Sequence, residues 1–182
     1  YFFPDFLRYM QHALPDMDIV LSTGRSTAIL EKLKDGELDI AIVVKPIEKF
    51  ETLEFDKIYS DTFGCYMSPK IDERFKKYLI MFPSPSVRPE KHKKVLGMDH
   101  VVTCDNLETV KSLVEEGMGV GYLPHRVARE GVLKGTLLQY NIQNVPAHPH
   151  DIILAFSKDS SSELQDLLIE NLKRYLISWS LN

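Results

Sequence analysis

The sequence has no apolar run long enough to cross a membrane, no excess of positive charge and almost no cysteine, and each shortage removes a class of function. The longest apolar stretches, within Asp39–Val44 and Ile152–Phe156, run five or six residues, against the ~18 that a membrane helix needs. The chain is therefore read as a soluble protein. Lys and Arg together number 22 against 26 Asp and Glu, a formal net charge of −4, which is no basis for a phosphate-binding surface. The two cysteines, Cys65 and Cys104, form no Cys-x-x-Cys and have no histidine at ligand spacing, so neither a zinc site nor a disulfide framework is indicated. They are read as buried free thiols, as in a reducing compartment; a single bridge is the other reading. No signal peptide, repeat or low-complexity tract is read in the given sequence. The chain does not begin with Met, and Tyr1 falls almost inside a helical pattern, so it is read as a fragment whose preceding residues were removed. What remains, 182 residues with 44% hydrophobic and 26% charged, suits one large domain or two small lobes that bury roughly 70% of the unfolded surface.

Hydrophobic periodicity divides the chain into elements. Phe3, Phe6, Leu7, Met10 and Leu14 mark a helix closed by Pro15, expected to lie on a sheet. Met17, Ile19 and Leu21 alternate as a strand, and Ser22 to Ser26 is a polar turn. Ile29, Leu30 and Leu33 mark a second helix ended by Gly36. The unbroken run Asp39–Val44 reads as a strand buried on both faces. Residues 17–44 are thus predicted to be a strand, helix, strand unit with parallel strands. After Lys45-Pro46 come β-rich segments at Leu53–Tyr59 and Phe63–Met67, a proline-rich loop at 82–86, and a strand at Val101–Cys104. A helix carrying Leu107, Val110, Leu113 and Val114 ends at Gly117. Then follow a strand at Val120–Leu123, a helix opening at Pro124, a turn at Gly131–Gly135 and an extended stretch through Tyr140. Asn144–His150 connects back to a buried strand, Ile152–Phe156, and to a last helix on the Leu164 to Trp179 stripe, with Ser160 and Glu163 as its capping box. The breaks at Lys45-Pro46 and Asn144–Pro149 imply two α/β lobes with a cleft, where ligands collect at strand ends and helix N-termini.

Several motifs invite a chemistry their context denies. Gly117-Met118-Gly119-Val120-Gly121 resembles part of a dinucleotide fingerprint, but that motif follows a strand and opens a helix, and here the order is reversed. Gly117 is read as a left-handed helix stop and Gly119 as a close-packing position. Gly24 to Ala28 lacks the last glycine of a nucleophile elbow. His148-Pro149-His150 is read as a connector, and His92 with Lys91, Lys93 and Lys94 as a solvated basic face. Ser22-Thr23-Gly24-Arg25-Ser26-Thr27 is different, because it places hydroxyls and a guanidinium at a helix N-terminus, where unpaired amides attract anions. Ser26 or Thr27 as a simple N-cap is the competing account. Cys104-Asp105-Asn106 repeats the arrangement in the other lobe, with Asp105 or Asn106 as a plain cap the alternative.

Together, residues 24–43 (GRSTAILEKLKDGELDIAIV) and 106–124 (NLETVKSLVEEGMGVGYLP) resemble the effector-binding domain of LysR-type transcriptional regulators. Leu133–Leu138 fits the family's l-x-x-G-x-L stretch, and the resemblance spans nearly the whole chain. It implies an α/β fold of two Rossmann-like lobes joined by two crossover strands, like type II periplasmic binding proteins. Lobe I would comprise 1–45 and 146–182, and lobe II 46–145. The winged helix-turn-helix and the first strand of lobe I are expected to be absent from this chain.

The implied function is that of a bacterial, cytoplasmic, non-enzymatic regulator domain, which senses a small molecule in the interlobe cleft and modulates DNA binding by the full-length protein. By the same resemblance Thr23, Arg25, Ser26, Thr27, Lys45, Asp105 and Asn106 are effector-binding candidates. The effector is expected to be a carboxylate or other polar metabolite; Ser26 and Thr27 would meet its oxygen-rich end, Lys45 or Arg25 would supply charge, and Asn106 would set orientation. The expected assembly is a homodimer or homotetramer, with DNA bound only through the missing domain, no membrane contact, no cofactor and no metal. A free-standing solute-binding protein of the same fold is the alternative.

Overall fold

The computed structural model describes residues 3–148, 150–158 and 162–180. The chain packs as two compact units, one holding the residues up to Ser60 together with those from Asp151 onward, the other Asp61–His150.

In the first unit, helix α1 (Phe3–Ala13) and helix α2 (Ser26–Lys34) precede strands β1 (Ile40–Val44) and β2 (Leu53–Asp61). The chain returns as β8 (His150–Ser157) and α6 (Glu163–Ser180). The sheet order is β1-β8-β2, and β1 runs antiparallel to β8 with Ile42 opposite Leu154. Period-two alternation sends Ala41, Val43, Ile153 and Ala155 to one face, where Ile29, Leu30 and Leu33 of α2 cover them. Ile40, Ile42, Leu154 and Phe156 point to the other face, under Phe6 and Met10 of α1 and Leu172 and Leu176 of α6. The two continuous apolar runs are therefore strands buried on both sides, as their composition predicts.

The expected strand at 17–21 does not form. Residues 17–25 have no ladder partner, and Val20 is 89% exposed. A strand exists only by pairing, and β1 pairs with the distant β8 rather than with this segment, so the predicted parallel unit over 17–44 is replaced by an antiparallel pair. Because β2 lies beside β8 in the first unit's sheet, the compact units part at Ser60/Asp61 and His150/Asp151. The capping residue read as Ser160 lies outside the described residues; at the start of α6, Ser162 Oγ accepts from Gln165 N at 3.1 Å. Buried Gln165 in turn donates to the Asp39 carbonyl at 2.9 Å, tying α6 to the start of β1.

The second unit holds β3 (Phe63–Met67), a 3-10 turn at Glu73–Phe75, β4 (Tyr78–Met81), α3 (Pro89–Val95), β5 (His100–Thr103), α4 (Leu107–Glu115), β6 (Val120–Pro124), α5 (His125–Lys134) and β7 (Leu138–Gln139). Its sheet order is β5-β4-β6-β3-β7. Here too alternation splits the strands between two covers. Cys65, Leu79, Met81, Val120 and Tyr122 pack with Leu96 and Met98, after α3, whereas Tyr66, Ile80 and Leu123 pack under Val110 and Val114 of α4 and Val127 and Ala128 of α5. Two readings are corrected. Lys91 and Lys94 of α3 are exposed, as a solvated basic face requires, but His92 between them is 1% exposed. Gly131 is interior to α5, which runs on to a left-handed stop at Gly135. Tyr78–Met81 adds a strand where the sequence pattern marks none, and Cys65 and Cys104 are free thiols, as expected.

Candidate functional site

The polar turn 22–25 and the first residues of α2 are fixed by one side chain. Ser26 Oγ accepts a hydrogen bond from Val44 N at 3.2 Å, joining the helix start to the end of edge strand β1. Ser26 is thus not the cap. The N-cap is Arg25, in extended conformation, and no side chain caps the helix, since a guanidinium offers no acceptor. The N–H groups of the first turn of α2, which have no intrahelical acceptor, therefore receive no cap from the Arg25 side chain at the positive dipole end. Ser26 Oγ, committed as an acceptor to Val44, retains its own O–H as a donor. Thr23, Arg25 and Thr27 are exposed around it and Ser26 is half-buried. Thr27 also borders an open depression of about 380 Å³ with Glu31, Lys34, Lys49 and Phe50, whose mixed charges favour neither sign of ligand.

Lys45 follows directly on β1, its N–H bonded to the Asp151 carbonyl at 2.8 Å and its side chain exposed. Beside it lies a polar cluster that sequence reasoning missed. The Ser60 hydroxyl donates to Asp151 Oδ1 at 2.5 Å and Lys57 Nζ lies 3.0 Å from the same oxygen. The Ser60 and Lys57 hydrogen bonds, with the charges of Lys57 and Lys45, hold the Asp151 carboxyl below the usual range. Nothing local marks these residues; they meet because β2 and β8 are neighbours in the sheet.

In the second unit, Asp105 and Asn106 are exposed at the start of α4. Asn106 Oδ1 accepts from Thr109 N at 2.7 Å, and its Nδ2 donates to Asp105 Oδ1 at 2.9 Å. The cap reading of Asn106 is therefore realised. Asn106→Ala is expected to lower stability by about 1 kcal/mol, measured by urea unfolding, while Asn106→Ser, which keeps an acceptor, retains most of it. Cys104, next to this site, is raised above the ordinary thiol range by burial and then by Asp105, so it is a poor nucleophile at neutral pH.

Among the described residues no group of three or more His, Cys, Asp or Glu side chains is placed to hold a metal ion, and no helix is long and apolar enough to cross a membrane. The structure brings Thr23, Arg25, Ser26, Thr27 and Lys45 into the first unit, around the junction of α2 with β1, and places Asp105 and Asn106 in the second.

The fold has many solved relatives. It matches the apo regulatory domain of HypT from Salmonella typhimurium with a TM-score of 0.74 at 11% identity, covering 94% of this chain and 89% of that one. The reduced OxyR regulatory domain from Pseudomonas aeruginosa matches with a TM-score of 0.66 at 18% identity, covering 96% and 87%. A full-length OxyR variant from the same organism gives 0.68 at 21%, covering 96% of this chain but 61% of that one. At these identities the likeness is one of fold, the two-unit, periplasmic-binding-protein-like α/β architecture. No curated protein matches by sequence. The LysR substrate binding domain family, however, matches residues 1–176. The chain belongs to that family and is the effector-binding regulatory domain of a LysR-type transcriptional regulator.

Proposed function

We propose that the domain binds a carboxylate or similarly oxygen-rich metabolite at the start of α2 and reports it, without catalysis, to a DNA-binding region elsewhere in a cytoplasmic, oligomeric regulator. The observation that carries the reading is the Ser26 to Val44 hydrogen bond. It fixes the turn against the strand end while leaving the Ser26 O–H and the α2 amides as donors for an anionic group. Arg25 and Lys45 supply positive charge on the same unit and Thr23 and Thr27 add hydroxyls, while Asp105 and Asn106 stand as separate candidates on the second unit. The absence of a side-chain cap on α2 supports a ligand in that role. The dimer or tetramer and the DNA contact are inferred from family membership, as is the non-enzymatic role.

The test is a thermal-shift screen of carboxylates, aromatic acids and amino acids, since a ligand that binds only the native state raises its stability with the logarithm of its concentration over Kd. A hit should lose affinity by about tenfold or more in the Ser26→Ala/Thr27→Ala double variant, corresponding to about 1.4 kcal/mol. Unchanged affinity in a folded double variant refutes the assignment of this turn.

A further inference from the structure

Two opposite charges stand side by side in the first unit without pairing to each other. The Lys45 N–H bonds the Asp151 carbonyl at 2.8 Å, one step beyond the Val44 to Ile152 pair of the β1 and β8 ladder. Strand alternation therefore sends both side chains to the sheet face on which Ala41, Val43, Ile153 and Ala155 meet α2. Asp151 is engaged from elsewhere, since the Ser60 hydroxyl and Lys57 Nζ both reach its Oδ1. Lys45 acts on Asp151 only through its field, and among the described residues no hydrogen bond or ion pair holds its ammonium. The strand end thus presents one cation and one carboxylate oxygen, Asp151 Oδ2. A carboxylate has about four acceptor sites, so two donors on Oδ1 leave room for more.

We propose that the effector is a zwitterion, an α-amino acid whose carboxylate lies against Ser26 and Lys45 and whose ammonium is taken by Asp151 Oδ2. Asp151 is then the specificity-determining residue of the site. The assignment rests on the reading of the α2 start as the effector site and narrows its ligand class. Two consecutive donors reach opposite edges of β1, Val44 N to Ser26 Oγ at 3.2 Å and Lys45 N to the Asp151 carbonyl at 2.8 Å. Backbone dimensions then place Ser26 Oγ within about 10 Å of that carbonyl oxygen. An α-amino acid with a hydrogen bond at each end spans about 8–9 Å, so one molecule matches the scale of the strand end.

Charge selects among the acids of that size. The Ser60 and Lys57 hydrogen bonds, with the fields of Lys57 and Lys45, hold the Asp151 carboxyl below its ordinary range, so it is ionised at neutral pH. A ligand that is only an anion would set a second negative charge beside Oδ2 and offer it no donor. An ammonium brings three N–H donors and the opposite charge. A ligand that is only a cation fails in the other direction, because Lys45 repels it and Lys57 already neutralises much of Asp151. Both ends are therefore required, and the pairing of attraction with repulsion is what separates close analogues.

The test measures thermal shifts of the 182-residue chain with the L-amino acids, each beside the acid that lacks its amino group, as glycine beside acetate and alanine beside propanoate. The amino acid that binds should do so about tenfold or more tightly than its des-amino partner. Asp151→Asn keeps an oxygen acceptor for Ser60 and Lys57 but removes the charge. It should weaken the amino acid by about tenfold or more and strengthen the des-amino acid, closing the gap. Equal binding of the two by the natural chain, an unchanged ratio in Asp151→Asn, or no shift with any amino acid overturns the proposal. Failure of the turn reads differently, as affinity for both acids surviving in Ser26→Ala/Thr27→Ala. Acids bound equally well with and without the amino group, yet lost in that double variant, leave the turn in place and refute the zwitterion. Should Asp151→Asn fail to fold, the comparison of the two acids on the natural chain decides.

Discussion

Leu154→Ala is expected to destabilise the first unit by about 3–5 kcal/mol. Leu154 has no exposed surface and lies in β8, the middle strand of the β1-β8-β2 sheet. It packs in one cluster with Phe6 and Met10 of α1 and Leu172 and Leu176 of α6. Truncation removes the transfer free energy of the isobutyl group and leaves a void between two helices and a sheet. The void cannot close cheaply, because β8 is fixed by neighbouring strands on both edges and the helices already rest on other strand positions. Domains are commonly stable by about 5–15 kcal/mol, so this one change should remove a large part of the margin. Urea unfolding should show a lower midpoint, and hydrogen exchange should show the loss in the β1 and β8 amides. Ile47→Ala is the control: Ile47 is 76% exposed, and its truncation should move stability by no more than about 0.5 kcal/mol. Equal effects at the two positions would mean that the described packing of β8 is not the one that stabilises the unit.

How far the sequence disclosed the fold depended on whether the deciding partner was local. The α2 stripe of Ile29, Leu30 and Leu33 and the buried runs of β1 and β8 announce themselves, since burial on one stripe or on both faces is written into consecutive residues. Pairing is not. Met17, Ile19 and Leu21 alternate as a strand should, yet nothing within that segment states that β1 will take β8 as its neighbour. His92 looks solvated among lysines because its partner is at 148. Asp61 gives no sign that its carboxylate, bonded to Arg126 N at 2.9 Å, starts α5 from a distance of 65 residues. Gly131 imitates a turn signal, while its real constraint is the Leu137 side chain, which a Cβ there would approach to 2.7 Å. The candidate site divides along the same line. That a polar turn opens α2 is visible in the chain; that Ser26 bonds Val44 rather than its own helix follows from the α2 and β1 packing.

Gly119→Ala separates the two meanings of the glycine-rich stretch 117–121, and its expected cost is about 2–3 kcal/mol. A Cβ at Gly119 would lie 2.7 Å from the Tyr78 carbonyl oxygen and 3.0 Å from Ile80 Cγ1. The first contact is backbone of β4, the strand that pairs in parallel with β6 immediately after this glycine, so relief requires moving a strand rather than rotating a side chain. Gly117→Ala should cost less, about 1–2 kcal/mol. Its φ of +78° is a left-handed helix stop, and its nearest neighbour would be Ile71 Cα at 3.4 Å, an ordinary contact. In thermal unfolding, with about 2–4 °C per kcal/mol at this chain length, the alanine at 119 should produce the larger drop. A stretch serving a dinucleotide would behave otherwise, with both substitutions leaving the fold intact and abolishing cofactor binding. Glycines that let two strands and a helix end approach one another reveal themselves in stability, and the position where a Cβ meets a backbone carbonyl should lose most.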